Sequence, residues 1–214
     1  MVSRQHAGCG GKIGGLFEWC MSSLGTSAKQ ALTEELRHLC EQIDNLKEDV
    51  LELTAPLTDA QFNWRPDGRW SISECLAPLN VVDGLDLPLL EEAIAVGRSA
   101  GLTGTGPFRY GFLSRRFVRY QDGPVKIKVK APQEYRPPSG EPKEKVVAGF
   151  ILIHDQMREL VVKSNGLDLA HVKTRTPFPV IKFSLGQRFA ILTAHDRRHL
   201  RQAWGVRRRR DFPV

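Results

Sequence analysis

No stretch of the sequence approaches the ~18 consecutive apolar residues of a membrane-spanning helix, which excludes a helical integral membrane protein. The four cysteines, Cys9, Cys20, Cys40 and Cys75, form no CxxC pair. That excludes a zinc ribbon and argues against a disulfide scaffold. A secretory signal is missing too: the one early apolar stretch, Leu16 to Met21, is short and interrupted by Glu18. Together these absences point to a cytoplasmic protein with reduced thiols. There is no internal repeat.

What is present suits a single core. The chain has 214 residues, 41% hydrophobic and 26% charged, an ordinary globular balance. The net charge of +7 resembles a nucleic-acid signal until it is located. From Asp196 to Val214 there are seven arginines (Arg197, Arg198, Arg201, Arg207 to Arg210) against two aspartates. A basic groove recruits charge from several segments, whereas this excess is one helix end and a basic tail at 207–214. Cations there also complement a helix dipole. The pattern argues against a nucleic-acid partner.

Residues 1–28 hold six of the nineteen glycines and no sustained periodicity, so they read as a flexible leader, with Met21 as an alternative start. From there Leu32, Leu36, Leu39, Ile43, Leu46, Val50 and Leu53 recur at intervals of four and three. That spacing predicts a bundle helix over 29–54, stopped by Pro56. A loop with a turn at Pro66-Asp67-Gly68 follows. Ser71-Ile72-Ser73-Glu74 is a capping box opening a second helix that ends near Gly97 to Gly101. Pro78 and Pro88 each delete a ladder bond, which predicts a kink or a local break.

Residues 101–142 are rich in glycine and proline, with a short alternating stretch at Val125, Ile127 and Val129. So long a connection can return the chain to its starting end, which predicts parallel second and third helices joined by a crossover. The third helix, over 143–165, carries Val147, Phe150, Ile151, His154, Met157 and Val161 on one stripe and ends at Asn165-Gly166. Ser184 to Gln187 is another capping box, opening a fourth helix over 184–205. Four amphipathic helices and no sheet pattern predict an all-α four-helix bundle over residues 29–206.

His195 and His199, at i and i+4 on the fourth helix, have the spacing of two ligands for one metal ion. Asp196 stands where the metalloprotease pattern has a glutamate, with a shorter reach. HxxxH alone is a weak motif, and packed or surface histidines are its ordinary explanation.

A resemblance adds to this reading. Leu57-Thr58, Gln61, Trp64-Arg65-Pro66, Trp70-Ser71-Ile72-Ser73-Glu74-Cys75-Leu76-Ala77, Pro177-Phe178, Ser184-Leu185 and His195-Asp196-Arg197-Arg198-His199-Leu200-Arg201-Gln202 resemble the DinB/YfiT-like superfamily. The likeness covers roughly residues 30–205. It implies an up-down-down-up four-helix bundle and a divalent metal, zinc or nickel, held by three histidines. One of these lies early in the second helix and two are the HxxxH pair. It also implies stress-related bacterial relatives, among them thiol S-transferases using bacillithiol or mycothiol and metal-dependent hydrolases. Small-molecule or thiol substrates and homodimers follow from the same resemblance.

The sequence departs from that pattern at one point. Where the family has Ala-His-Leu-Asn, this chain has Ala77-Pro78-Leu79-Asn80. Proline offers no side-chain lone pair, and two histidines with water make a weak, exchangeable site. His154 is the substitute third ligand expected if the second and third helices are parallel; a core histidine bonded to a neighbour is the other reading. Asp83 and Asp86 are further carboxylate candidates, and Asn80 is a poor ligand. Trp64, Trp70 and Trp204 read as caps on the bundle ends, and Cys75 as a small core residue. Three functions stay open: a DinB-like bundle with an incomplete metal site and no robust catalysis, a metal-dependent transferase or hydrolase using His195 and His199, and an arginine-tail nucleic-acid binder.

Overall fold

A computed structural model describes residues 31–111, 116, 118–119, 123, 140–175 and 183–214. The leader at 1–28 with its Met21 start, the stretch at 125–129 and Pro177-Phe178 lie outside the described residues. Those described are mostly helical, as an all-α reading expects: α1 (Glu34–Thr54), α2 (Asp59–Asn63), α3 (Ile72–Ser99), α4 (Lys143–Lys163) and α5 (Leu185–Arg207). One antiparallel pair of two-residue strands, β1 (Lys173–Thr174) and β2 (Phe183–Ser184), leads into α5. No described helix is long and apolar enough to cross a membrane.

Four of the described helices start where the sequence supplies a side-chain cap, while α4 follows Pro142 without one. Thr33 sits in extended backbone and accepts a hydrogen bond from the Leu36 amide, so α1 begins at Glu34 rather than at 29. Its apolar seam is buried as the heptad spacing requires. Ser71 and Glu74 close the expected capping box on α3, and Ser184 and Gln187 do the same on α5. A third box, Thr58 with Gln61, turns part of the expected loop into α2, which buries Phe62. α3 is one continuous helix despite Pro78 and Pro88. Packing against both α4 and α5 holds it together where propensity alone would not, and Pro88 lies on its exposed side.

α1 and α3 each pack against both α4 and α5. Polar cross-links pin the register of all four contacts. Asp44 meets Arg158 and Lys47 meets Asp155 between α1 and α4. Gln42 meets Arg197 and Asp49 meets Trp204 between α1 and α5. Asn80 donates to the Val146 carbonyl, and Arg98 to that of Lys163, between α3 and α4. Between α3 and α5, Asp86 pairs with Arg188 and the Cys75 carbonyl with His199.

The core is in two parts. One cluster gathers Leu36, Ile43, Leu90, Met157, Phe189 and Leu192 among others; the second gathers Val50, Phe62, Leu76, Leu79, Phe150 and Leu200. On α3, α4 and α5 the residues between the two clusters include Asp83, Asp86, His154 and Asp196, all buried. A layer of ionisable side chains therefore separates two apolar ones. The expected basic tail joins the second cluster through Phe212, which lies edge-on to Trp64 and beneath the Arg207 guanidinium.

Candidate metal centre

The HxxxH pair is positioned by the α3–α5 contact. His195 and His199 lie one turn apart with ring centroids 4.6 Å from each other. The Nδ1 of His199 donates to the Cys75 carbonyl oxygen at 3.0 Å. A carbonyl can only accept, so this bond leaves Nε2 as the lone-pair nitrogen of a neutral ring. Trp70 stacks on the same ring, its centroid 5.9 Å away; of the three tryptophans expected to cap the bundle, this one covers a histidine. Burial, reinforced by His199 and the Arg198 and Arg188 charges, pulls His195 down to about 3. Burial also takes His199 to about 4, against the favourable bond to Cys75. Both rings are neutral at pH 7 and retain lone pairs.

Cys75 opposite His199 and Asp86 opposite Arg188 define one constant antiparallel register. That register brings Pro78 of α3 level with Asp196 and Leu79 level with His195. The position for which the resemblance implies a third histidine thus lies beside the pair, and it is Pro78. The donor set at this rim does not fit a three-histidine site.

His154 belongs to a different group. Its Nδ1 donates to the Phe150 carbonyl at 2.8 Å, its ring stacks on Phe150, and its Nε2 lies 3.2 Å from Asp196 Oδ2. Asp83 completes the group. One ligand atom from each of Asp83, His154 and Asp196 lies within 4.8 Å of the others. All three residues have 0% exposure. As ionised carboxylates, neither Asp83 oxygen nor Asp196 Oδ1 has a hydrogen-bond donor among the described residues; a shared proton would join the two carboxyls. Burial, with each carboxylate repelling the next, drives Asp83 well above the carboxylate range, and burial drives Asp196 in the same direction. Desolvation lowers His154. Among the described residues this trio is the group whose donor atoms converge on a common point. His195 and His199 stand outside it, and Asp86 is held instead by Arg188 Nε at 2.9 Å.

Of the two readings of His154, the structure agrees with a core histidine bonded to its neighbours. The sequence offers Asp83 as a carboxylate candidate with weak positional support and Asp196 only as a shortened glutamate. The overlooked signal is positional. Asp196 falls between Leu192 and Leu200 on the buried stripe of α5, and Asp83 falls between Leu79 and Leu90 on that of α3. A carboxylate on an apolar stripe needs a partner deep in the core.

No curated protein and no solved structure matches the chain. A family model described as the DinB superfamily does match, over residues 42–203, an interval containing the pair, Pro78 and the buried trio. The chain belongs to the DinB superfamily.

Proposed function

We propose that the protein is an up-down-down-up four-helix bundle over residues 29–206 whose rim metal position is incomplete, and that it has no robust catalysis of its own. The cross-links support the topology: residue numbers rise together along α1 and α5 and along α3 and α4, and run oppositely in the other two contacts. The observation that carries the function is Pro78, which the α3–α5 register sets level with Asp196, between His195 and His199 in sequence, where the resemblance implies a third ligand. His154 does not replace it, because its Nε2 faces Asp196 in the buried trio and not His195 and His199. Two neutral imidazoles beside Trp70 are a binding feature for a small molecule or an exchangeable ion, short of the three protein ligands a catalytic zinc keeps.

A second reading, a metal-dependent thiol S-transferase or hydrolase, is favoured by one observation. His199 is held through Nδ1 on a backbone carbonyl, the usual orientation of a metal-ligating histidine. Metal analysis of the untagged protein decides between them. On the reading proposed, His199→Ala leaves metal content unchanged, and Pro78→His gains zinc or nickel in a manner that depends on His199. Stoichiometric metal in the parent that disappears with His199→Ala overturns it.

A further inference from the structure

The buried trio is more than a polar interruption of the core. We infer that Asp83, His154 and Asp196 form a closed site for one divalent first-row transition ion, of the zinc or manganese class, which ties α3, α4 and α5 together at the centre of the bundle.

The argument begins with donor counting. The Phe150 carbonyl obliges His154 Nδ1 to carry a proton, so the neutral ring presents its Nε2 lone pair to Asp196 Oδ2, 3.2 Å away. Two acceptors facing each other at that separation need something positive between them. Asp83 makes the deficit larger. It is 0% exposed, its ionised oxygens meet no donor among the described residues, and its ligand atom lies within 4.8 Å of the other two. An unpaired buried carboxylate costs several kcal/mol, so the trio must take up either protons or a cation. The Arg197 charge favours ionised Asp196, while the Arg188 guanidinium is committed to Asp86.

Geometry and charge favour the ion. Metal–ligand bonds of about 2.0–2.1 Å put adjacent ligands of a tetrahedral ion about 3.3 Å apart. The His154–Asp196 edge is already 3.2 Å, and the Asp83 ligand atom lies within 4.8 Å of both. Two carboxylates and one neutral imidazole neutralise a divalent charge, and a donor set of two oxygens and one nitrogen suits zinc or manganese better than copper(I) or calcium. The Phe150 carbonyl orients the ligand histidine through its other nitrogen, as outer partners of metal-bound histidines do. Full burial on three helices makes the role structural: such an ion bridges the two apolar clusters without meeting substrate.

The test uses the full-length chain without a histidine tag, stripped with chelator, re-exposed to Zn2+ or Mn2+ and passed through gel filtration before metal analysis. One ion per chain is expected in the parent and in the His195→Ala/His199→Ala variant. Asp83→Asn and Asp196→Asn should bind at least tenfold more weakly. X-ray absorption on the zinc-loaded parent should report a single imidazole in the ligand shell, a readout independent of whether any variant folds. A parent that retains no ion overturns this inference but leaves the incomplete rim site standing. Retention in both asparagine variants also overturns it. Two imidazoles on the ion, with loss in the double histidine variant, overturn both readings at once.

Discussion

Replacing Arg188 with methionine removes a charge while keeping most of the stem that packs between α3 and α5. Arg188 reaches Asp86 through Nε at 2.9 Å, and the two side chains are 11% and 2% exposed. The substitution therefore leaves a carboxylate in the core with no counter-charge. Breaking a buried pair from one side costs about 3–5 kcal/mol. For a domain of this size each kcal/mol moves the melting point by about 2–4 °C, so a fall of roughly 6–20 °C is expected. Asp86→Leu combined with Arg188→Met should recover most of the loss or exceed the parent, since both desolvation penalties vanish together. The parent already hints at this balance, because burial holds Asp86 above its ordinary range even against the Arg188 guanidinium.

The sign of the pH dependence follows. A carboxyl whose folded pKa is raised binds its proton more tightly when folded, so stability falls as pH rises through that value. Arg188→Met raises Asp86 further. Its deficit thus grows as pH rises above the unfolded value of about 3.9, shrinks on acidification and closes near that value. Urea unfolding of the parent, the single and the double variant, at unchanged m, measures all of this. A single variant costing under about 1 kcal/mol, or a deficit that widens in acid, refutes the reasoning.

Three further outcomes follow from packing, capping and burial. The Cys75 thiol, 1% exposed and pushed by burial up to about 12, should resist iodoacetamide at pH 8, where roughly one part in 10,000 is thiolate; peptide mass spectrometry should find it alkylated only in urea. Gly97→Ala places a Cβ 2.7 Å from Val172 Cγ2 in a filled core, costing about 1–3 kcal/mol of urea-measured stability, and Val172→Ala should partly rescue it. Ser71→Ala removes the acceptor 3.0 Å from the Glu74 amide and should cost about 1 kcal/mol by the same measurement.

Much of the fold was legible because its signals are local. The α1 seam, the boxes at Ser71 and Ser184, and the stop at the end of α4 each lie within a few residues of one another. Where local and tertiary forces disagreed, tertiary packing prevailed, as in the continuous α3 across Pro78 and Pro88. α2 was legible in principle, since Thr58 and Gln61 are the same box as the other two, but Leu57 to Trp70 reads as loop by its turn residues. The site divides in the same manner. His195 and His199 are one turn apart and announce themselves. Asp83, His154 and Asp196 are separated by 71 and 42 residues, and only the interhelical registers bring them together. His154 was placed near helix α5 correctly in outline, but a difference of one position along α5 decides whether it meets His195 or Asp196.

That single position explains how one motif serves two places. Adjacent residues of an α-helix point about 100° apart. His195 and His199 share a face towards Trp70 and the start of α3, while Asp196 turns inwards between Leu192 and Leu200. His195-Asp196-Arg197-Arg198-His199 therefore presents two faces of one helix, a histidine pair and an inward carboxylate. Pro78 bears on the first alone. It is half-buried beside the pair, five residues before Asp83, and removes no donor from the trio. Pro78 therefore leaves the demand of the core unchanged: two buried carboxylates and an imidazole still require a proton or a cation between them.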